Sequence, residues 1–483
     1  LSEVTMSDRR FDWFARLESL SLEPLIEELT IRAKEACVVE GGSTRGVNLV
    51  SRDAAIDAIA VHFISALYQT QAPGSASQYK VGVPMWTGNY KAKDGGPLNA
   101  KKIRYSHTYV KIVFECLKSL GWVDVTEHLV KKHHTLMQPA GHLAWVFKEI
   151  GYVWHKITPH SEQRLVKLSD VKRFESGRPI RNKKGKTKKV SLPVEAIGSV
   201  PAHRSTLYEI NSHLVRHCIT LALNDRELEE LEEKQAENVK KLQYKCVDFF
   251  QTQLIRTFSR GSFDKGGRFY HGWWQNILSD YRRYILIDGV RTVEVDFCNM
   301  SLRMLYAQSN IDYPDDLDAY DFGLGNWKKK DDPRREVIKK FVNALLNDED
   351  KVYKLKAKDK KVLGGLDHDH MMNLLKQTHP LIFDKILEGG GQFIQNLDSQ
   401  IAQQILLILL RENITCLPIH DSFIVQYQHA DRLVDVMETV FLEKLGKRGV
   451  VERTEGKLNR ELDDDSIMGK FLQSWKDHEL GER

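Results

Sequence analysis

Two aspartates and one basic helical stripe carry the chemistry available to this sequence. In TVEVDFCNMSLRMLYA, Val293, Val295 and Phe297 alternate as on a half-buried strand and put Asp296 on the opposite face. A helix is expected from Ser301, with Leu302, Leu305 and Tyr306 inward. In ITCLPIHDSFIVQ two apolar β-like runs flank a polar tip, His420-Asp421-Ser422, which predicts a hairpin presenting one carboxylate. Pro418 places its strand at a sheet edge or an irregularity. In DDPRREVIKKFVNALLND, Asp332 is a good N-cap and Pro333 fits the first helical position. That helix carries Arg335, Lys339, Asn343 and Asn347 at four-residue steps, and because each step advances about 400 degrees they form one slowly drifting polar stripe.

Taken singly, each feature has a plainer explanation. An aspartate between strand and helix serves as a capping acid, and a Lys/Arg stripe serves as a solvated face. Together they are more specific. Phosphoryl transfer from a nucleoside triphosphate needs two carboxylates to hold paired Mg²⁺ ions about 3.5 to 4 Å apart, with cations on the leaving diphosphate. Two aspartates and an Arg/Lys helix supply that set.

The elements that must position them follow from pattern. Leu397, Ile401, Ile405, Ile408 and Leu409 form the apolar stripe of a helix on which the Asp421 hairpin rests. Leu17 to Val38 and Arg52 to Leu67 read as helices, and Ala72 to Pro97, with its Gly, Pro and Ser residues, reads as loop. From His107 an amphipathic helix runs to Gly121, with Trp122 and Val123 starting a short strand; GHLAWVFKEI repeats the helical pattern up to Gly151. Between Arg164 and Lys189 there are eleven Lys or Arg, including Lys183, Lys184, Lys186, Lys188 and Lys189, against two acids. Such a field suits nucleic acid or a solvated linker. The order helix, glycine, aromatic strand, basic loop loosely resembles a winged-helix nucleic-acid-binding module, and a small structural helical domain explains it as well. Ser205 to Leu223 and Arg226 to Phe258 predict a helical hairpin joined at Asn224-Asp225.

At 483 residues and 55.7 kDa the chain should fold as several domains: an N-terminal helical region (1–104), a winged-helix-like module with the basic loop (105–200), the helical hairpin (201–260) and a catalytic region (261–483). With 42% hydrophobic and 28% charged residues it can build real cores. A net charge of +5 says little, and six cysteines without a CxxC pair argue against a disulfide framework or zinc module. No apolar run reaches the roughly 18 to 20 residues of a membrane span, and the start lacks the apolar centre of a signal peptide. The expected setting is cytoplasmic, in a bacterial or phage-infected cell, nucleoid-associated if anything.

The order Asp, basic helix, Asp over the 125 residues from Asp296 to Asp421 resembles motifs A, B and C of the family A DNA polymerases and the phage-type single-subunit RNA polymerases. Upstream, Arg268, Gln275, Asn276 and Ile277 in GGRFYHGWWQNI match the GR and QNI elements preceding motif A, and IHDSF looks like the RNA-polymerase spelling of motif C. The resemblance covers roughly residues 255 to 430. It implies an α+β right-hand polymerase with an antiparallel-sheet palm, helical fingers and the 205–258 hairpin as thumb, beside a mainly helical N-terminal region. Asp296 and Asp421 would ligate two Mg²⁺ ions, with Mn²⁺ as a substitute. Arg335 and Lys339 would bind the incoming triphosphate, Lys339 protonating the leaving diphosphate. His420 would lie near the primer terminus, Arg268 at the minor groove, and Gln275 and Asn276 along primer or template strand. The implied partners are primer-template nucleic acid, nucleoside triphosphates and, through the N-terminal region, a replication protein.

Three departures matter. Ser301 stands where family A DNA polymerases carry a glutamate that crowds a ribose 2′-hydroxyl, so ribonucleotides are admitted more easily. Asn343 and Asn347 occupy the aromatic positions of motif B, unless the frame starts from Lys340. Ser422 replaces a secondary carboxylate. An RNA polymerase or primase-like enzyme is therefore the alternative to a DNA polymerase, and a non-catalytic nucleic-acid-binding replication protein is the alternative from another class. His368-Asp369-His370, His133-His134 and Asp463-Asp464-Asp465 are read as surface features, and no 3′-5′ exonuclease site is expected around Asp225. Phe269, Tyr270, Trp273 and Trp274 could stack unpaired bases or fill the core.

Overall fold

A computed structural model describes residues 9–10, 17–18, 22–39, 49–68, 81–83, 107–126, 135–150, 156–157, 165–176, 178–181, 187–192, 194, 198–237, 247, 249, 251–324, 332–347, 355–388, 390–454 and 462–481. Its first part comprises strands β1 (Arg9–Arg10) and β2 (Leu17–Glu18), helices α1 (Glu23–Val39) and α2 (Leu49–Tyr68), β3 (Val81–Val83), α3 (His107–Ser119), β4 (Val123–Thr126), β5 (Thr135–Pro139), α4 (Gly141–Ile150) and β6 (Lys156–Ile157). Helices α1, α2 and α3 pack together through residues such as Leu25, Leu29, Ile59, Phe63, Val113 and Leu117. The strand order β1-β3-β5-β4 makes a small sheet. Helix α3 ends as its sequence foretells: Gly121 takes φ 64°, and the Trp122 N–H returns to the Leu117 carbonyl at 3.0 Å. Val81–Val83 lies inside the stretch expected as loop and is instead a strand paired with β5.

The basic segment also departs from expectation. Strands β7 (Val166–Val171) and β8 (Lys189–Leu192) form an antiparallel hairpin, prolonged by bridges Arg173↔Pro179 and Arg181↔Thr187. Downstream come α5 (Val200–Leu214), β9 (Ile219–Leu221), α6 (Asp225–Glu237), β10 (Ile255–Ser259) and β11 (Ser262–Tyr270). The sheet order is β11-β10-β7-β8. Val166 and Leu168 are buried with Lys167 exposed between them, the alternation of a half-buried strand. The ribbon is an edge of the sheet that carries Arg268, and this pairing crosses the divisions drawn near residues 200 and 260.

The expected 205–258 helical hairpin does not form. Helix α5 stops at Leu214, the Cys218 N–H donates to Asp288 Oδ1 at 2.8 Å, and Ile219–Leu221 leaves as a fully buried strand. The Ile255–Ser259 end of the second pattern is likewise a strand. Buried β-branched residues here obey sheet pairing rather than helical periodicity.

The remaining elements are β12 (Ile285–Ile287), β13 (Val290–Phe297), α7 (Met300–Gln308), α8 (Pro333–Asn347), α9 (Ala357–Val362), α10 (His368–Thr378), α11 (Phe383–Leu387), α12 (Gly391–Arg411), β14 (Leu417–Ile419), β15 (Ser422–Gln426), α13 (Ala430–Leu445), β16 (Val451–Thr454) and α14 (Ile467–Gly481). An antiparallel sheet runs β14-β15-β13-β12-β9, with β16 also on β13. Pro418 sits on β14, the terminal strand, where its missing N–H costs no ladder bond. The long helix α12 packs on β11, α7 and α13. The fold is therefore mixed α+β. Among the described residues no helix is long and apolar enough to cross a membrane, and none of Cys37, Cys116, Cys218, Cys298 and Cys416 forms a disulfide.

One buried acid sets a pH dependence. Glu232 on α6 is 4% exposed, and neither carboxyl oxygen has a hydrogen-bond partner among the described residues. Burial, then Glu229, push its pKa from 4.5 to about 9. The folded state therefore holds a proton that the unfolded chain releases, and stability falls as pH rises from about 4.5 towards 9. Glu232→Gln should be more stable than the wild type at pH 8, by a few kcal/mol at most, and equal to it near pH 4. Thermal melts at the two pH values check this.

Candidate active site

The sheet brings Asp296 and Asp421 to one place. Strand β13 pairs antiparallel with β15 so that Asp296 lies opposite Ser422, and the Phe297 N–H donates to the Asp421 carbonyl at 3.2 Å. Val293, Val295 and Phe297 are buried, which turns Glu294 and Asp296 to the other face. Asp421 follows His420, whose φ of 57° makes the two-residue turn between β14 and β15. A left-handed non-glycine residue costs about 1 to 2 kcal/mol, so this tip is held by its surroundings. Gln275 supplies part of that hold: its Nε2 donates to the Pro418 carbonyl at 2.8 Å and to the Phe269 carbonyl at 3.1 Å. The Trp274 indole N–H donates to the same Pro418 carbonyl at 3.1 Å.

Further acids line the same face, and sequence reasoning missed them. Glu452 on β16 lies opposite Asp296 on the strand's other side. Glu294 accepts from the Ser422 hydroxyl at 2.7 Å and from Arg282 at 3.1 Å. Thus Ser422, which lacks a carboxylate of its own, is bonded to one from β13. Among the described residues no three acid, His or Cys groups are gathered closely enough to hold a metal alone. A Mg²⁺ ion held by one or two carboxylates and completed by water and substrate phosphates asks for no such cage, and Asp296 and Asp421 fit that donor set.

On one side of Asp421 stands Arg268. Gly266 (φ 72°) and Gly267 (φ 90°) let β11 press onto α12; a Cβ on Gly267 would lie 2.7 Å from the Phe258 ring and 2.9 Å from Ser399 Oγ. That contact places Arg268 Nε 2.5 Å from Asp398 Oδ2. Burial lifts the Asp398 pKa to about 6 despite Arg268, and Asp421 adds to the lift. Burial lowers Arg268 as well, but Asp398 and Asp421 outweigh it and leave the guanidinium above its ordinary value. His420 is pushed down to about 4, first by burial and then by Arg268, so its ring is neutral at pH 7. Its ring meets Tyr270 edge-on at 5.4 Å.

Arg335 is tied to the Asp296 strand through Asp318 and Asn299. Its Nη2 donates to Asp318 Oδ1 at 3.2 Å and its Nε to Asp318 Oδ2, and it lies over the Tyr320 ring at 5.4 Å. Asn299, left-handed at φ 54° between Asp296 and α7, donates to Asp318 Oδ1 at 3.1 Å and accepts from the Ala319 N–H at 3.2 Å. The loop before α8 thereby ties the basic helix to the Asp296 strand. Tyr320 is 3% exposed; burial, then Asp421, raise its phenol well above the ordinary value. Asp318 and Tyr320 carried no sequence signal, because their partners are distant in sequence.

Lys339 is half-buried, whereas Lys340 is 61% exposed and pairs with Glu336 at 3.8 Å on the outer face. Ser301 is half-buried in the first turn of α7, and Asn343 is half-buried on α8. Asn347 binds elsewhere: its Nδ2 donates to the Asn343 carbonyl at 2.8 Å and its Oδ1 accepts from Gln395 at 3.0 Å. Asn276 points back to the Gly272 carbonyl at 3.5 Å. Of the four aromatic candidates, Phe269, Trp273 and Trp274 are core residues and only Tyr270 reaches the surface. Lys188 and Lys189 are exposed on the ribbon, while Lys183, Lys184 and Lys186 lie outside the described residues, as do His133 and His134. The His368 segment begins α10, where Asp367 caps the His370 N–H at 3.0 Å.

No protein-family model matches the chain, and no curated protein does. Among solved structures it is similar to the polymerase domain of Pol1 from M. smegmatis in complex with DNA primer-template and dNTP. The TM-score is 0.30 and the identity 10%, with 62% of this chain and 60% of that chain covered.

Proposed function

We propose that this chain is a template-directed nucleotidyltransferase, a DNA polymerase of the family A type without proofreading, acting by two-metal phosphoryl transfer on primer-template nucleic acid. The observation that carries the reading is the pairing of β13 with β15, which sets two aspartates 125 residues apart in sequence beside each other, Asp296 on β13 and Asp421 in the turn before β15, with Arg268 acting electrostatically on Asp421. Two Mg²⁺ ions at Asp296 and Asp421 would supply a polarised nucleophile and charge neutralisation on the phosphates. Arg335 and Lys339 would hold the triphosphate, with Lys339 donating a proton to the leaving diphosphate. The dipole of α8 adds modestly to the field on that anion. Arg268, with Gln275 and Asn276 near the hairpin, would set the primer-template end. The exposed lysines of the β7–β8 ribbon add backbone affinity without sequence choice.

Ser301 favours a second reading, an RNA polymerase or primase-like enzyme, because a half-buried serine leaves room that a glutamate would fill. Primer extension with dNTPs and rNTPs supplied separately decides between them. Preferred dNTP use supports the DNA polymerase; equal or better rNTP use establishes the alternative; duplex binding without incorporation in Mg²⁺ or Mn²⁺ leaves a non-catalytic replication protein. Ser301→Glu should cut rNTP incorporation by about 10-fold or more while changing dNTP use little, as expected for a steric clash of 1 to 3 kcal/mol. Single-nucleotide incorporation rates measure the ratio.

A further inference from the structure

Asp398 carries a charge in the packed face of α12, with its side chain 3% exposed. Its partner is Arg268, whose side chain is 22% exposed. A buried ion pair confers little stability over an apolar contact of equal size, because desolvating both charges offsets their attraction. Stability therefore does not account for the pair. Orientation does. The pair engages the Nε edge of the guanidinium, and the terminal fork, Nη1 and Nη2, has no protein partner among the described residues. The neighbouring turn of α12 fixes the register: Asn396 donates to the Phe263 carbonyl at 3.0 Å and Ser399 to the Gly266 carbonyl at 3.4 Å, two residues before Arg268. Asp421 acts electrostatically on both members of the pair.

We propose that Asp398 is the positioning residue of Arg268, holding the guanidinium by its inner edge so that the free fork meets the end of a primed duplex beside Asp421. This rests on the nucleotidyltransferase reading for the identity of the ligand. Arginine suits the task because one edge can be spent on a carboxylate while the other still donates two hydrogen bonds; a lysine offers no second face.

The test is a double-mutant cycle read by the Kd for a fluorescent primed DNA duplex, with thermal melting recorded for every variant. Asp398→Asn and Arg268→Gln should each weaken binding about 10-fold, the size of one charge-assisted contact, and the double variant should be no weaker than Arg268→Gln alone. Effects that multiply, or an unchanged Kd in Asp398→Asn, overturn the proposal. Should Asp398→Asn fail to fold, Arg268→Lys decides: it keeps a cation against Asp398, is expected to bind as weakly as Arg268→Gln, and contradicts the proposal if it binds like wild type. The binding readout needs no turnover, so a wild type that binds duplex without incorporating nucleotides defeats the enzymatic reading while this cycle still stands. A wild type that binds no duplex defeats both.

Discussion

Asp421→Asn is expected to lower single-nucleotide incorporation by about 10³-fold or more, since a metal-bridged carboxylate supplies several kcal/mol of transition-state stabilisation. Asp296→Asn should do the same, and the double variant should be little worse than either, because the two act on one pair of ions. Neither change should unfold the protein. Asp296 faces Glu452 across β13–β16 and stands two residues from Glu294 on the same face. Asp296 is exposed, so Asp296→Asn should leave stability within about 0.5 kcal/mol of wild type. Lost activity with an unchanged melting temperature is a signature that a structural aspartate would not give. Rapid-quench incorporation and calorimetry on the same preparations provide both readouts. Activity within tenfold of wild type in either variant removes the assigned site.

The second large effect separates two adjacent lysines. Lys339→Ala should reduce the incorporation rate by about 10²- to 10³-fold, the range for losing a general acid or a transition-state charge contact. Lys340→Ala should stay within about twofold, because an exposed i,i+4 pair such as Glu336–Lys340 contributes a few tenths of a kcal/mol. Arg335→Ala should act mainly on triphosphate affinity, raising KM about 10- to 100-fold through loss of a charged hydrogen-bond donor. If Lys340→Ala is the damaging change, the stripe has been framed one residue too early.

The strand and hairpin that carry Asp296 and Asp421 were more legible in the sequence than the scaffold around them. Alternation at Val293, Val295 and Phe297 displayed Asp296 correctly, because a half-buried strand writes its two faces into a period of two. The polar tip at His420 and Asp421 was equally clear, since apolar runs on both sides leave only a turn between them. Helix α8 announced its start through Asp332 and Pro333. Illegible were the features that exist only through long-range pairing. Ile219–Leu221 reads as a continuation of α5 until Asp288 captures the Cys218 N–H, and the basic run reads as loop until β10 pairs with β7. Asp398 lies inside an apolar helical stripe, where a lone acid looks like an exposed-face residue, and only the approach allowed by Gly267 reveals its arginine. Asp318 and Tyr320 sit in a connecting loop whose pattern carries no period at all. Trp273 and Trp274 were ambiguous because an aromatic pair serves a core or a base-stacking face equally well, and burial assigns them to the core.

Manganese electron paramagnetic resonance tests the proposed shared metal site most directly. With a primed duplex and a non-hydrolysable triphosphate present, the wild type should bind two Mn²⁺ ions with an exchange-coupled spectrum, as expected for ions about 3.5 to 4 Å apart. Asp421→Asn should abolish the coupling. Uncoupled ions in the wild type, or a coupled pair that survives Asp421→Asn, would contradict a two-metal centre built on Asp296 and Asp421.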